Sequence, residues 1–321
     1  MDAQCFDQGQ LGSIHSRPAA SARNRAAIGI LNGFGRSLGD SVIGLQALTL
    51  AIAGGTVERD PTLLRLPGLP PITRELYDAA CDFAVVETLP WTDEKPGPPP
   101  DTAARFSKVI DLRDFAFDPA FRGVAMVDFF LRRLGLDPKL VPPPQKRNNW
   151  LGPRVRTRPP AFEAGYVLVC PTASMSMRSM PMAIHDAALK WLRANTNRKV
   201  LTQAMLPRET TLAGLCGLVA NASLIISTDT AMVHLADAYS RPCLAFFNTH
   251  RPEWRARDYP LCRRIHLPAK LPTALEFSRG DGDDAAARAA WFPHGDDIAW
   301  LDNLLDETVR HFVSSAFRSG L

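Results

Sequence analysis

Short apolar runs alternate with longer stretches of helical period along most of this chain. AIGIL at 27–31, FAVVE at 83–87 and KVIDL at 108–112 are apolar at nearly every position, which is the pattern of strands buried on both faces. Between the first two, Val42, Leu45, Leu48 and Ile52 recur near the helical period in a segment from Asp40 to Ala53, and Gly54-Gly55 supplies the stop. The rhythm resumes with YVLVC at 166–170, RKVLT at 198–202, LIIST at 224–228 and CLAFF at 243–247, with helical segments near 182–194, 208–220 and 230–239. Strands alternating with helices in this way predict two α/β domains with parallel sheets. Near the C-terminus Leu301, Leu304, Leu305, Val309 and Phe312 form an amphipathic helical stripe that needs a surface to pack on.

The divider lies between Lys139 and Ala164, where Pro142, Pro143, Pro144, Pro159 and Pro160 exclude both helix interior and central strand. The expected organisation is therefore a mobile polar arm at 1–26, a first domain at 27–145, a linker at 146–164, a second domain at 165–295, and a C-terminal helix at 296–321 that returns to the first domain. The linker holds Lys146, Arg147, Arg154, Arg156 and Arg158 with no acidic residue among them. That is either a rim facing an anionic substrate or membrane, or a solvated loop. The stretch SRGDGDDAAAR at 278–288 has the composition of a surface loop; Asp281 and Asp283 form the carboxylate pair of metal-dependent sugar transferases, but such acidic turns are usually just solvated.

Composition narrows the class. The 321 residues are 46% hydrophobic and 22% charged, the balance of a globular protein rather than of a collagenous, low-complexity or coiled-coil chain. A net charge of +4 does not require a basic face, and no nucleic-acid partner is expected. None of the six cysteines stands in a C-x-x-C pair, which excludes a zinc ribbon or a thioredoxin-type site and favours buried thiols. Cys262 and His266 could be half a metal site, but no second pair follows. No signal peptide opens the sequence, and the longest apolar stretch, Val42 to Ala53, is too short for a bilayer, so a cytoplasmic protein is expected.

Three turns could carry chemistry. In the first, Asn32 to Asp40, the residues Gly35-Arg36-Ser37-Leu38-Gly39 fit the G-x-S-x-G elbow of serine hydrolases, but the turn follows what reads as the first strand, too early for that fold. Gly33, Gly35 and Gly39 approximate a dinucleotide fingerprint, with Glu58 and Asp60 as poor candidates for its acidic residue. A plain strand-to-helix turn capped by Asp40 accounts for the same residues. The second turn runs from a buried strand into Ser227, Thr228, Asp229 and Thr230 and then a helix, an anion cradle at a helix N-terminus. Thr230 and His234 share one face behind it, although Asp229 alone could be an N-cap and His234 a packed histidine. The third, Pro171 to Arg178, offers Thr172, Ser174, Ser176 and Arg178 for a phosphate before a helix near Pro181. Met175, Met177, Met180 and Met182 are read as packing.

Taken together, these turns resemble the heptosyltransferases of glycosyltransferase family nine. The most specific match is Asp229-Thr230-Ala231-Met232-Val233-His234-Leu235-Ala236; Leu38-Gly39-Asp40 with Gln46-Ala47-Leu48, the strand Val109-Ile110-Asp111-Leu112, the loop Pro171 to Arg178 and the closing helix after Asp296 are similar too. The resemblance spans roughly residues 27–314. It implies a GT-B architecture, two Rossmann-like domains with parallel sheets facing a central cleft, and inverting, metal-independent transfer from a nucleotide-diphosphate sugar, with ADP-heptose the family's default donor. No cofactor is implied. Carried over residue by residue, Asp40 matches the catalytic base, Asp229, Thr230 and His234 match donor-binding positions, and Arg178 matches a basic position that steadies the diphosphate; Thr172, Ser174, Thr228 and Ala231 are expected to join the donor site from the turns in which they stand. Ala231 stands where the family has glycine, as does Thr172 after Pro171. The implied acceptor is a hydroxyl of a lipopolysaccharide core or a protein, reached at the inner face of the inner membrane through a peripheral contact. Two readings from other classes remain beside it: a serine hydrolase using Ser37, and a nucleotide-sugar-binding module without catalysis.

Overall fold

The computed structural model describes residues 28–89, 102, 104–161, 163–205, 211–271 and 278–318; the arm expected at 1–26 lies outside them. The first domain contains strands β1 (Ile28–Leu31), β2 (Thr62–Arg65), β3 (Val85–Thr88) and β4 (Lys108–Asp111), with helices α1 (Leu38–Ala53), α2 (Pro71–Asp78) and α3 (Met126–Arg133). Its sheet runs in the order β3-β2-β1-β4, every pair parallel. The sequence reading has no counterpart for β2, because TLLR is too short to show a period and follows a polar stretch. Helix α1 is buried almost all round, including Ser41, Gly44 and Gln46, which marks a helix enclosed between layers rather than lying on a surface. A Cβ at Gly44 would fall 2.0 Å from the Phe34 ring, so only glycine permits that approach. The helix opens one turn earlier than the apolar pattern suggests: its N-cap is Ser37, and Asp40 sits in the first turn.

The second domain comprises β5 (Tyr166–Cys170), α4 (Met182–Asn195), β6 (Val200–Thr202), α5 (Leu212–Asn221), β7 (Ala222–Thr228), α6 (Ala231–Ala238), β8 (Cys243–Phe247), α7 (Pro252–Ala256), β9 (Cys262–His266), α8 (Asp281–Ala289) and α9 (Ala299–Arg318). Its parallel sheet has the order β6-β5-β7-β8-β9. The edge strand β9, CRRIH, is only half-buried and mostly polar, as edge strands commonly are, and it escaped the apolar pattern for that reason. Cys262 and His266 stand at its two ends, about 13 Å apart at strand rise, so they cannot share an ion.

Two expectations are corrected here. The supposed surface loop at 278–288 is largely helix α8, whose first turn carries Asp281, Asp283 and Asp284, where negative charge favours the helix dipole. Asp283 accepts the Arg279 backbone N–H at 2.9 Å, and among the described residues no cluster of three or more ligating side chains is suited to a metal ion. The C-terminal helix, expected to return to the first domain, packs Leu301, Leu304, Leu305 and Phe312 into the second-domain core beside Ile184, Leu189, Leu192 and Trp291.

The first part of the linker, residues 146–151, is packed against both domains rather than solvated. Lys146 is 7% exposed and donates to Asp128 of α3 at 2.7 Å. Arg147 Nε and the Asn148 backbone N–H both reach the Asp237 carboxylate of α6, at 2.9 and 2.8 Å. The Trp150 indole donates to the Val42 carbonyl of α1 at 2.9 Å, and Arg154 pairs with Asp82 at 2.9 Å. Arg156 and Arg158 are exposed. Two further ties cross directly between domains: Arg257 grips Asp128 through two bonds of 2.8 and 3.1 Å, and Glu75 accepts the Leu212 N–H at the start of α5 at 2.6 Å.

Candidate active site

The order β6-β5-β7-β8-β9 turns back on itself between β5 and β7, since connections leave these neighbours in opposite directions. A crevice opens at such a switch point beyond the carboxyl ends of the strands, and the loops that border it here are Pro171–Pro181 after β5 and Asp229–Thr230 after β7. Asp229 is 3% exposed and receives Arg178 Nη1 at 3.4 Å and His250 Nδ1 at 3.2 Å. Burial alone would raise its pKa, but the His250 bond and the charges of Arg178, His250 and Arg255 outweigh it and hold the carboxyl far below its usual range. It is an ionised partner for the basic loop and not the N-cap of α6. That cap is Thr230, whose Oγ1 accepts the Met232 N–H at 3.3 Å and lies 3.0 Å from Ser227 Oγ.

Arg178 also donates to Ser174 Oγ at 3.1 Å, so Ser174, Arg178 and Asp229 form one chain across the crevice. Thr172 is exposed, its N–H bonded to Gln203 Oε1 at 3.3 Å. Thr228 is fully buried, and its hydroxyl has no partner among the described residues. Ala231 is the first residue of α6. His234 is buried; desolvation, reinforced by Arg255 and Arg178 and opposed by Asp229, lowers its pKa to about 4, so the ring is neutral at pH 7.

In the first domain the corresponding switch point is between β1 and β4. The loop after β1 takes left-handed backbone at Asn32 (φ 71°), Gly33 (φ 53°) and Gly35 (φ 92°). It closes over Tyr77, whose hydroxyl accepts the Phe34 N–H at 2.7 Å and the Ser41 hydroxyl at 3.2 Å. Burial pushes that phenol up to about 12. Asp40 is half-buried; its Oδ2 lies 4.0 Å from where a Cβ on Gly35 would stand. The preceding residue makes the link between domains. A Cβ on Gly39 would be 2.9 Å from His234 Cδ2 and 3.4 Å from Ala231 Cα, so the opening turn of α1 rests directly on the opening turn of α6. Asp40 and His234 therefore flank one seam.

The same geometry disposes of two rival readings of the first turn. Ser37 Oγ accepts the Asp40 N–H at 3.1 Å as a helix cap, and among the described residues it makes no bond to a histidine, so the nucleophile elbow is not assembled. The dinucleotide fingerprint needs an acid closing the second strand, but β2 ends in Arg65, while Glu58 and Asp60 lie exposed before it. Residues that the motif reading missed include Tyr77, Asn148, His250, Arg255 and Tyr259. His250 had one available signal: it follows CLAFF, at the carboxyl end of a central parallel strand, where ligands are expected.

Similarity to known proteins bears on this arrangement. Over 89% of this chain and 77% of the other, the fold superposes with a TM-score of 0.59 at 13% identity on the dodecameric iron-containing heptosyltransferase TibC of enterotoxigenic E. coli, solved in complex with ADP-D-beta-D-heptose. The E. coli heptosyltransferase WaaC with ADP gives a TM-score of 0.52 at 14% identity, over 88% of this chain and 99% of that one. At such identities the likeness establishes the fold, which is that of the two-domain GT-B glycosyltransferases. Residues 182–266, from α4 through β9, match the family model described as Glycosyltransferase family 9 (heptosyltransferase). Over that segment the chain is similar to the heptosyltransferases of glycosyltransferase family 9. No curated protein matches it by sequence. Among the described residues no helix is long and apolar enough to cross a membrane.

Proposed function

We propose that this protein is an inverting, metal-independent glycosyltransferase that moves a heptose-type sugar from ADP-heptose to an acceptor hydroxyl. The observation that carries the reading is the Ser174–Arg178–Asp229 chain across the β5/β7 switch point, directly behind the seam where the first turn of α1 meets α6. TibC has been solved with ADP-D-beta-D-heptose and WaaC with ADP, which supports a nucleotide-diphosphate donor here.

In this reading the diphosphate lies over the start of α6, where backbone N–H groups and the helix dipole favour anionic oxygens. Asp229 keeps the Arg178 guanidinium oriented, and Arg178 balances charge that builds on the departing diphosphate. Thr172, Ser174, Thr230 and Ala231 are assigned to the same side, with Thr228 buried beneath them. Across the seam, Asp40 takes the proton of the acceptor hydroxyl. The acceptor oxygen bonds to the anomeric carbon from the face opposite the leaving group, the bond from that carbon to the diphosphate breaks, and ADP departs with inverted configuration at the sugar. The acceptor is a hydroxyl of a lipopolysaccharide core or a protein, met at the cytoplasmic face of the inner membrane.

Melting-point measurements with ADP, ADP-heptose and UDP-glucose, each with Mg²⁺ or with EDTA, test the donor side. ADP-heptose should raise the melting point according to its concentration over its dissociation constant, equally in EDTA, and Asp229→Ala should remove the effect. Asp40→Asn should retain donor binding and lose transfer. Stabilisation that strictly requires Mg²⁺ would overturn the metal-independent mechanism, and an Asp40→Asn variant with unchanged activity would overturn the role of Asp40.

A further inference from the structure

Asn148, in the linker, places its side-chain nitrogen 2.8 Å from the Tyr259 hydroxyl, 3.3 Å from Asp237 Oδ2 and 3.4 Å from the His234 carbonyl. A carboxylate and a backbone carbonyl can only accept, so the group facing them must be the NH₂ end of the amide. The Tyr259 oxygen therefore accepts a hydrogen bond from Asn148, and its own single hydrogen is left to be donated to its other neighbour. That neighbour is His234 Nδ1, at 2.9 Å. A ring nitrogen that accepts carries no proton, and a neutral imidazole must then hold its hydrogen on Nε2. The Nε2 edge faces the first helical turn of the other domain: a Cβ on Gly39 would lie 3.3 Å from Nε2.

From this chain of bonds we infer that Asn148 and Tyr259 are positioning residues that lock His234 in its Nε2–H form, so that the interdomain linker sets which way this imidazole can hydrogen-bond at the seam. The inference deepens the transferase reading and rests on it for the identity of what His234 meets. With Nε2 protonated, His234 donates to an oxygen of the donor diphosphate and does not serve as a base there, which leaves proton removal to Asp40. The anchor of the relay is itself held from the linker, since Asp237 is gripped by Arg147 and by the Asn148 backbone N–H. The other charged groups acting on the His234 ring are Asp229, Arg255 and Arg178. The Tyr259 ring also meets the imidazole edge-on, with centroids 5.8 Å apart, which fixes the plane of the ring as well as its tautomer.

The test uses the full chain labelled with ¹⁵N-histidine, and a His234→Gln sample assigns the His234 signals. Two-bond ¹⁵N–¹H correlations at pH 7 without ligand should show Nε2 protonated and Nδ1 bare in the wild type. Tyr259→Phe, which removes one oxygen and keeps the ring, should give a mixture of tautomers. It should also weaken ADP binding by about fivefold, the equivalent of one ordinary hydrogen bond, as read by titration calorimetry. A wild-type signal showing Nδ1–H, or a Tyr259→Phe spectrum with the Nε2–H form undiminished, overturns the lock. A shifted tautomer with ADP affinity unchanged overturns its link to the donor. If the tautomers behave as expected but the wild type does not bind ADP, the lock stands and the donor reading fails.

Discussion

Replacing Gly39 by alanine tests the contact on which the two-domain site depends. In isolation the change should help: alanine is favoured over glycine in a helix by up to about 1 kcal/mol, and Gly39 lies in the first turn of α1. The surroundings reverse the sign. The new methyl would stand 2.9 Å from His234 Cδ2, well inside ordinary carbon contact distance, and 3.4 Å from Ala231 Cα, at its lower edge. The ring cannot swing away cheaply, because it is buried and its Nδ1 is held by Tyr259 at 2.9 Å. Either the seam opens by several tenths of an ångström or the imidazole loses that bond. Overpacking of this kind costs about 1–3 kcal/mol, leaving a net loss of up to about 2 kcal/mol against the full helix gain, which for a chain of this length corresponds to about 1.5 °C in melting temperature for each kcal/mol. Melting followed by circular dichroism reads this directly, with ADP-heptose turnover alongside, which should fall because Asp40 moves with the α1 turn. The control is the same substitution on His234→Ala: with the ring gone the methyl has room, and Gly39→Ala should become neutral or stabilising, a coupling between the two sites. A Gly39→Ala protein that melts at or above the wild type, with His234 intact, would refute the claim that α1 rests on this histidine.

Other consequences can be measured independently. Ser37→Ala should cost about 1 kcal/mol through loss of the α1 cap while leaving transferase activity standing; loss of all turnover with the fold intact would revive a serine nucleophile. Because His234 titrates near 4 in the folded chain against 6.5 in the open one, unfolded chains take up its proton first. Stability should therefore decline as pH falls from 6.5 towards 4, by up to about 3 kcal/mol from this group, and denaturant titrations at pH 7 and pH 5 should show a smaller difference in His234→Gln. Asp128→Ala strands Lys146 and Arg257 without their shared carboxylate; since Arg257 reaches solvent, the expected loss is about 2–3 kcal/mol rather than the full cost of breaking a buried pair, and an unchanged denaturation midpoint would show that this tie contributes nothing.

How far the sequence speaks depends on what a segment must bury. Strands covered on both faces, such as β1, β5 and β8, announce themselves as unbroken apolar runs, and Val42, Leu45 and Leu48 mark α1 because that helix is enclosed. β2 is too short and β9 too polar to register, and α8 hides behind a composition that fits a loop as well as an acidic helix start. The turn carrying Asp229, Thr230 and His234 was visible because polar residues follow immediately on a buried strand. Its partners Tyr259 and His250 are not, and neither is Tyr77 beneath the first turn, because only folding brings a phenol beside an imidazole 25 residues away. The capping alternatives at Asp40 and Asp229 fall instead to Ser37 and Thr230, because consecutive hydroxyls and carboxylates offer equivalent candidates until the backbone conformation selects one. The linker was the largest surprise. Prolines mark where helix and strand must stop, but nothing in a run of basic residues reveals that acids elsewhere neutralise Lys146 and Arg147.

The packed start of this connector limits how the molecule can be dissected or recombined. Cutting the chain at residues 146–164 would leave Asp128 without Lys146 on one fragment, or Asp237 without Arg147 and Asn148 on the other, so neither half is suited to life as an autonomous unit. A chimaera that exchanges the first domain would have to bring Asp128, Val42 and Gln46, whose Oε1 accepts the Trp150 N–H, in matching positions, or carry a redesigned connector with it.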